Sequence, residues 1–159
     1  MPAPLLELTG VSKTFGPVIA LDRVDLKIGA AEAVGLIGDN GAGKSTLVKI
    51  LSGEITDFEG TMALHGEARR FGSPREAVAA GIAVIPQELQ LVSSLSVAEN
   101  IFLGREPRAA SGMVDREALN RMALAQLTAM GAHGIAADAP LASLDAASRQ
   151  LVAIARALS

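Results

Sequence analysis

The sequence contains no cysteine, no tryptophan and no tyrosine, and aromatic residues make up only 3% of its 159 residues. The absence of cysteine excludes disulfides and thiolate metal sites, and it is typical of a cytosolic chain. With only four phenylalanines, the chain has little from which to build stacking platforms for single-stranded nucleic acid. The chain also has no excess of basic over acidic residues, since its net charge is −3. Together these features argue against a nucleic-acid partner.

Long hydrophobic runs are absent as well, although half of the residues are hydrophobic. The longest apolar run, residues 77–85, is interrupted by Gly81 and is too short to cross a bilayer. The first ten residues, MPAPLLELTG, have no basic segment before an apolar core, so the sequence predicts no signal peptide.

A glycine-rich stretch, LIGDNGAGKSTLVKIL at residues 36–51, carries the strongest chemical signal. Gly38, Gly43, Lys44 and Ser45 match the pattern G-x-x-x-x-G-K-[ST], which is typical of loops that bind nucleotide phosphates. An apolar run precedes the loop and a predicted helix follows it. This context favours a phosphate site over a glycine-rich turn that binds nothing.

The residue types of this loop suit a triphosphate. Glycines let the backbone curl so that N–H groups point inward, and a helix N-terminus favours anions. The Lys44 ammonium can contact the outer phosphates, and the Ser45 hydroxyl can bind Mg²⁺. We therefore predict a nucleoside triphosphate and Mg²⁺ as cofactors, and the family resemblance described below implies that the nucleotide is ATP. The predicted phosphate-binding residues are Gly38, Asp39, Asn40, Gly41, Ala42, Gly43, Lys44, Ser45 and Thr46.

Hydrophobic patterning predicts a strand-rich first part and a helical second part. Alternation predicts strands at residues 5–9 and 24–28, with a turn at 13–17, and residues 60–66 form a further strand candidate. Continuous apolar runs predict buried strands at 33–37 and 82–85. The predicted boundary gives residues 1–87 as the nucleotide-binding core and residues 88–159 as a helical subdomain.

Helix signals occur in both parts. Gly53 is placed to end the helix after the glycine-rich loop. The stretch Ser73-Pro74-Arg75-Glu76 predicts a helix start, with Ser73 as the cap, Pro74 in the first turn and Glu76 reaching back. Ser96-Val97-Ala98-Glu99 forms a capping box, and Asp115 is placed to cap a long helix that ends at Gly131. The apolar stripe predicted for that helix is Leu119, Met122, Ala123, Leu127 and Met130; the final helix carries Leu151, Ile154, Ala155 and Leu158.

Four stretches in order resemble the ATP-binding subunits of ABC transporters. They are LLELTGVSKTFGPVIALDRVDLKI, GDNGAGKSTLVKILSG, IAVIPQELQLVSSLSVAENIFLGRE and LDAASRQLVAIARAL. The third stretch is most similar to the bacterial importers of ribose, galactose and xylose. The resemblance covers nearly the whole chain and implies an α/β fold: part of a P-loop NTPase domain of the ABC type, followed by an α-helical subdomain.

The resemblance implies two further contacts to the nucleotide. Phe15 occupies the place of the aromatic residue that stacks on adenine, and the alternative is a packed turn aromatic. Gln87 occupies the place of the Q-loop glutamine, which binds Mg²⁺ or the attacking water; the alternative is a solvated residue after a strand. Ser45 and Gln87 are therefore the expected Mg²⁺ contacts.

The sequence departs from the family at the signature motif. The usual form is Leu-Ser-Gly-Gly-Gln, and its serine contacts the γ-phosphate bound by a second ATP-binding domain. The corresponding positions here are Leu144, Asp145, Ala146, Ala147 and Ser148. Asp145 is suited to cap the following helix, but its carboxylate repels a phosphate. We therefore expect a poor phosphate clamp.

A second departure concerns hydrolysis. The family uses an aspartate at the end of an apolar strand, an adjacent glutamate and a later histidine to position Mg²⁺ and activate water. No apolar strand that ends in Asp-Glu occurs in these 159 residues. The expectation is a chain that corresponds to the front part of a longer ATPase, binds Mg-ATP and does not hydrolyse it.

The function implied by the resemblance is ATP-driven sugar import. Its expected partners are a membrane permease, a second ATP-binding domain and, indirectly, a periplasmic sugar-binding protein, with no nucleic acid. The expected location is cytoplasmic, peripheral on the inner face of the plasma membrane. Two alternatives stay open: a non-catalytic nucleotide-binding or interaction module, and a non-transport ABC ATPase that acts on DNA or the ribosome.

Overall fold

A computed structural model describes residues 4–86 and 89–159. The chain divides into two compact units, Met1–Ala83 and Val84–Ser159, each with its own hydrophobic core. None of the helices in the described ranges is both long and apolar enough to cross a bilayer.

The first unit contains a four-stranded antiparallel sheet in the order β2-β1-β3-β4. Its strands are β1 (Leu6–Phe15), β2 (Val18–Ile28), β3 (Glu59–Leu64) and β4 (Glu67–Arg69). The strands predicted at residues 5–9, 24–28 and 60–66 are confirmed, and the first two are longer than expected. The predicted turn is narrower, since β1 continues through Phe15 and only Gly16 and Pro17 form the turn.

A bulge at Gly10 changes which residues of β1 are buried. Leu6 and Leu8 are buried before it, and Val11 and Lys13 are buried after it. The pairing of β1 with β2 shifts register between Leu8 and Val11, and Gly10 adopts a φ of 61°. Because one extra residue reverses the two-residue alternation, the bulge places Lys13 on the buried side.

Two helices complete the first unit: α1 (Lys44–Leu51) and α2 (Pro74–Ala79). Leu47 and Ile50 of α1 are buried in the core with Leu8, Val11 and Met62 of the sheet. Gly53 follows the end of α1 with a φ of 72°, as predicted for a helix terminator.

The two buried strands predicted from continuous apolar runs are wrong. Residues 33–37 and 82–85 lie outside the strands of the sheet, and most of their side chains are exposed. Ile37 is 96% exposed and Leu36 is 44% exposed. An apolar run becomes a strand only when a neighbour accepts its backbone hydrogen bonds, and no described strand pairs with either run.

The second unit is helical, with α3 (Val97–Ile101), α4 (Arg116–Ala129) and α5 (Ala146–Ala157), and a short 3-10 helix at Leu141–Ser143. The caps predicted at Ser96 and Asp115 are confirmed, whereas the cap predicted at Ser73 is wrong, since its side chain makes no capping hydrogen bond to α2. The Ser96 and Glu99 side chains form a capping box at α3, and the Asp115 carboxylate accepts a hydrogen bond from the Ala118 N–H at 2.9 Å.

The predicted apolar stripes are correct only in their centres. Leu119, Ala123 and Leu127 of α4 are buried, whereas Met122 is 43% exposed. In α5 Ala155 is fully buried as predicted, whereas Leu158 is 61% exposed and Val152, which was not predicted, is fully buried. A period of 3.6 residues defines the middle of a helix face well, but its edges depend on the neighbouring elements.

Candidate functional site

The glycine-rich loop leads directly into α1, and Gly43 is the residue at which the helix begins. Its φ of 82° lies in the left-handed region, and a Cβ atom at this position would lie 2.3 Å from the Ala20 carbonyl oxygen. Such a distance is far inside van der Waals contact, so any side chain would push the loop away from β2. Gly43 therefore holds the start of α1 against the sheet in a way that no other residue permits.

No side chain in the described part of the chain caps the N-terminus of α1. The first N–H groups of a helix have no intrahelical acceptor, and the first bond that returns to the cap is Leu47 N–H to the Gly43 carbonyl, at 2.9 Å. Residues 38–42 and Ser45 are exposed around this end. The arrangement leaves backbone donors and the positive end of the helix dipole available to an anion.

Lys44 adds a positive charge to the same place. Its ammonium donates hydrogen bonds to the carbonyl oxygens of Gly38 and Asp39, at 2.6 and 2.7 Å. The Ala42 N–H donates to the Asp39 carbonyl at 3.1 Å, which tightens the loop. The loop is thus curled around the lysine head group, and its residues fit a phosphate group that would accept hydrogen bonds from the ammonium in place of the carbonyls.

Phe15 lies at the end of β1 in the same unit, with 49% of its surface exposed. It pairs with Val18 of β2, and two residues further along β2 the Ala20 carbonyl lies against Gly43. Two strand residues span about 7 Å. The structure therefore places the predicted stacking residue on the hairpin that also supports the loop, and leaves its ring accessible.

Sequence reasoning missed Lys13. Its side chain is only 8% exposed, its ammonium lies 2.5 Å from the Asp57 carboxylate, and it also lies 5.0 Å from the centroid of the Phe15 ring. The hydrogen bond from Lys13 holds the pKa of Asp57 below its usual range. Lys13 lies two residues before Phe15, and residues two apart on a strand share a face, so this spacing could have indicated the contact. The partner Asp57 is 44 positions away, and no local pattern indicates it.

Gln87, predicted from the resemblance, lies outside the described residues. The signature positions are described, and Asp145 caps α5: its carboxylate accepts a hydrogen bond from the Ser148 N–H at 2.7 Å. That bond lowers the pKa of Asp145 and favours the charged form. Leu144 packs against the helical core, whereas Ala146 and Ala147 are exposed.

Comparison with known proteins identifies the family. The sequence pattern of the family described as ABC transporter matches residues 21–159. The chain is 47% identical over 156 residues to a ribose import ATP-binding protein of Rubrobacter xylanophilus and 49% identical over 156 residues to an arabinose import ATP-binding protein of Burkholderia thailandensis. Each alignment covers 98% of this chain, but the chain spans only 30% and 29% of those two relatives.

Solved structures give the same result for the fold. A nucleotide-free ATP-binding cassette from an ABC transporter is similar with a TM-score of 0.78, and the ADP conformation of an ATP-binding cassette is similar with a TM-score of 0.79. Both are 25% identical to this chain; each comparison covers 98% of the chain and 64% of the cassette. The predicted fold class, a partial P-loop ATPase domain, is confirmed, and the chain belongs to the ABC transporter family.

Proposed function

We propose that this chain binds Mg-ATP through residues 38–46 and is the nucleotide-binding portion of the ATP-binding subunit of a sugar importer. The observation that carries the proposal is the curled loop before α1, with Gly43 pressed against Ala20 and the Lys44 ammonium at its centre. The names of the relatives, ribose and arabinose import proteins, support the transport role.

The bound groups have specific expected contacts. Phosphate oxygens accept hydrogen bonds from the loop N–H groups and from Lys44, and the adenine stacks on Phe15. The exposed Ser45 hydroxyl is a Mg²⁺ contact, and Gln87 is the second proposed one. When bound, Mg²⁺ supplies charge neutralisation at the outer phosphates. Residues 1–87 form the proposed nucleotide-binding core, and residues 88–159 form the proposed helical subdomain.

In the transporter, the proposed partners are a membrane permease and a second ATP-binding domain, with a sugar-binding protein acting indirectly through the permease. The proposed location is the cytoplasmic face of the membrane. We further propose that these 159 residues bind ATP without turnover, because they contain no apolar strand that ends in Asp-Glu.

The test compares Mg-ATP binding by the wild-type chain with binding by Lys44→Ala and Lys49→Ala. Both lysines lie on α1, but of the two it is Lys44 that donates to the loop. Charged hydrogen bonds contribute about 1.5–3 kcal/mol, so Lys44→Ala should weaken binding by roughly 10- to 100-fold. Lys49→Ala should bind like the wild type, and phosphate release by the wild type should equal the Lys44→Ala background.

Two results would contradict the proposal in different ways. If a folded wild-type sample gives no calorimetric heat with Mg-ATP, the chain does not bind the nucleotide. The alternative of a non-nucleotide interaction module would then be favoured. Phosphate release that disappears in Lys44→Ala shows that this chain hydrolyses ATP and removes only the no-turnover part.

The signature positions carry a narrower proposal. Asp145 uses its carboxylate to cap α5, and the hydrogen bond from the Ser148 N–H lowers its pKa further, so it is charged at neutral pH. A capped carboxylate repels the γ-phosphate that a family-type serine would bind. Asp145→Ser should therefore increase ATP-dependent dimerisation of the chain, measured by analytical ultracentrifugation, whereas an unchanged monomer fraction would contradict a repulsive role.

A further inference from the structure

Lys13, Asp57 and Phe15 form a small cluster that the glycine-rich loop does not include. We infer that Lys13, anchored by Asp57, is a positioning residue that holds the Phe15 ring ready to stack on the nucleotide base. The inference deepens the proposed function and rests on it, because it needs Phe15 to contact the base. Its support comes from burial, contact geometry and charge.

The first observation is that Lys13 is buried, which is unusual for a lysine. Only 8% of its side chain is exposed, whereas Lys27, which forms an ion pair on the same sheet, is 68% exposed. The bulge at Gly10 is what turns Lys13 to the buried side of β1. A buried ammonium needs a partner, and Asp57 provides it at 2.5 Å.

The second observation is the contact with the ring. The Lys13 ammonium lies over Phe15, 5.0 Å from the ring centroid, within the range of a cation–π interaction. It covers one part of the ring, while Phe15 as a whole stays 49% exposed. An exposed phenylalanine at a strand end would otherwise populate several side-chain rotamers, and ordering one of them before binding reduces the entropy lost when a base stacks.

The third observation is how the ammonium is itself held. Asp57 lies in the segment just before β3, and 84% of its side chain is exposed, so it anchors Lys13 from the solvent side. Lys13 and Asp57 line a cleft of about 390 Å³ with Ser12, Thr14, Phe58 and Glu59. Arg70 also lines this cleft, but its guanidinium donates to the Phe58 carbonyl at 2.8 Å and so leaves Asp57 to Lys13.

The binding test uses two probes: Mg-ATP, and Mg-tripolyphosphate, which has the phosphates but no base. Lys13→Met should weaken ATP binding about fivefold, which corresponds to about 1 kcal/mol, and leave tripolyphosphate binding unchanged. Lys13→Arg keeps the cation and should restore ATP affinity to within about twofold of the wild type. Lys27→Met removes an ion pair with Glu7 on the same sheet and should affect neither probe.

Asp57→Asn is the second variant, and its exposed site lets it test the anchor without disturbing the core. NMR supplies a readout that needs no nucleotide. The Lys13 ε-methylene protons lie near the Phe15 ring and should be shifted upfield by the ring current. Phe15→Leu should abolish that shift and Asp57→Asn should reduce it, whereas Lys27→Met should leave it in place.

Three results overturn the inference. One is wild-type ATP affinity in Lys13→Met and Asp57→Asn; another is equal loss of ATP and tripolyphosphate binding in Lys13→Met, which indicates general damage to the fold. The third is a Lys13 shift that is insensitive to Phe15→Leu. If the wild-type chain binds neither probe, the proposed function fails and this inference fails with it. If the wild-type chain binds both probes and Lys13→Met binds ATP as the wild type does, this inference fails while the proposed function stands.

Discussion

The helices of the two units begin in different ways. In Val84–Ser159, α3, α4 and α5 each have a side chain that accepts a hydrogen bond from the first turn: Ser96, Asp115 and Asp145 respectively. In Met1–Ala83, α1 begins at Gly43 without such an acceptor among the described residues, although Leu47 and Ile50 bury one of its faces in the core. A side-chain cap satisfies the donors of its own helix, whereas an uncapped helix keeps its donors for another group.

The helix α2 of the first unit also begins without a side-chain cap, at Ser73, so a missing cap does not by itself mark a functional helix end. At α1 the uncapped start coincides with the glycine-rich loop and the Lys44 ammonium. Capped helix ends stabilise the second unit itself, whose core includes seven residues with no exposed surface: Val97, Ala98, Ile101, Ala123, Leu127, Val152 and Ala155. At the start of α1 no described side chain accepts a hydrogen bond from the first N–H groups, so these donors are available to a ligand that supplies negative charge. Four predictions test this contrast, from the largest expected effect to the smallest.

The core of the second unit should be the most sensitive to truncation. Leu127 of α4 has no exposed surface, so Leu127→Ala should lower the free energy of unfolding by about 2–5 kcal/mol. Leu124 lies on the same helix with 54% exposure, and Leu124→Ala should change it by less than about 0.5 kcal/mol. Urea unfolding followed by circular dichroism measures both; equal losses would show that burial on α4 does not determine stability.

The start of α1 should tolerate no side chain. Gly43→Ala places a Cβ atom 2.3 Å from the Ala20 carbonyl oxygen, so the loop must shift and Mg-ATP binding should fall at least about tenfold. Gly66 has a similar φ of 79°, but a Cβ atom there would have no described neighbour within 4 Å, which makes Gly66→Ala the matched control. Wild-type ATP affinity in Gly43→Ala, measured by calorimetry, would disprove the role assigned to the close contact.

Caps and uncapped ends should respond differently to the same substitution. Ser96 accepts a hydrogen bond from the Glu99 N–H at 3.2 Å, so Ser96→Ala should cost about 1 kcal/mol of stability. Ser73 precedes α2, but its side chain makes no capping hydrogen bond to that helix, so Ser73→Ala should change stability by less than about 0.5 kcal/mol. Chemical denaturation of both variants checks the difference, and a larger loss in Ser73→Ala would reverse the comparison.

The capping box should also give a small dependence on pH. The Ser96 N–H and hydroxyl lower the pKa of Glu99. A lowered pKa means that the stabilisation is complete above the unfolded value of about 4.3 and is lost as the pH falls through the folded value. Glu99→Gln should therefore flatten the decline in stability between about pH 5 and pH 3. Identical declines in wild type and variant would show that Glu99 contributes nothing to acid unfolding.

Local sequence patterns were sufficient to predict much of the fold. Ser96, Glu99, Asp115 and Asp145 act within three residues of themselves, so their capping roles followed from short patterns and are confirmed. The alternating strands were found for the same reason. That Lys44 and its loop bind ATP remains a prediction, although the curl of the loop and the position of the lysine agree with it.

Features that depend on residues far apart in the sequence could not be predicted from local patterns. The runs at residues 33–37 and 82–85 have the composition of buried strands, but composition does not supply the neighbour that pairs with them. Lys13 shows the converse case: a residue expected in a turn is buried because Gly10 shifts the register of β1 and Asp57 lies 44 positions away.

The sequence by itself determined the family, the glycine-rich loop and the helix caps, because each depends on residue types at short, fixed spacings. Only the tertiary structure decided which apolar runs are covered, that Gly43 touches Ala20, and that Lys13 lies between Asp57 and Phe15. Burial and ion pairing arise between segments that are far apart in the chain, and the free energy of such contacts depends on distances that no local pattern encodes.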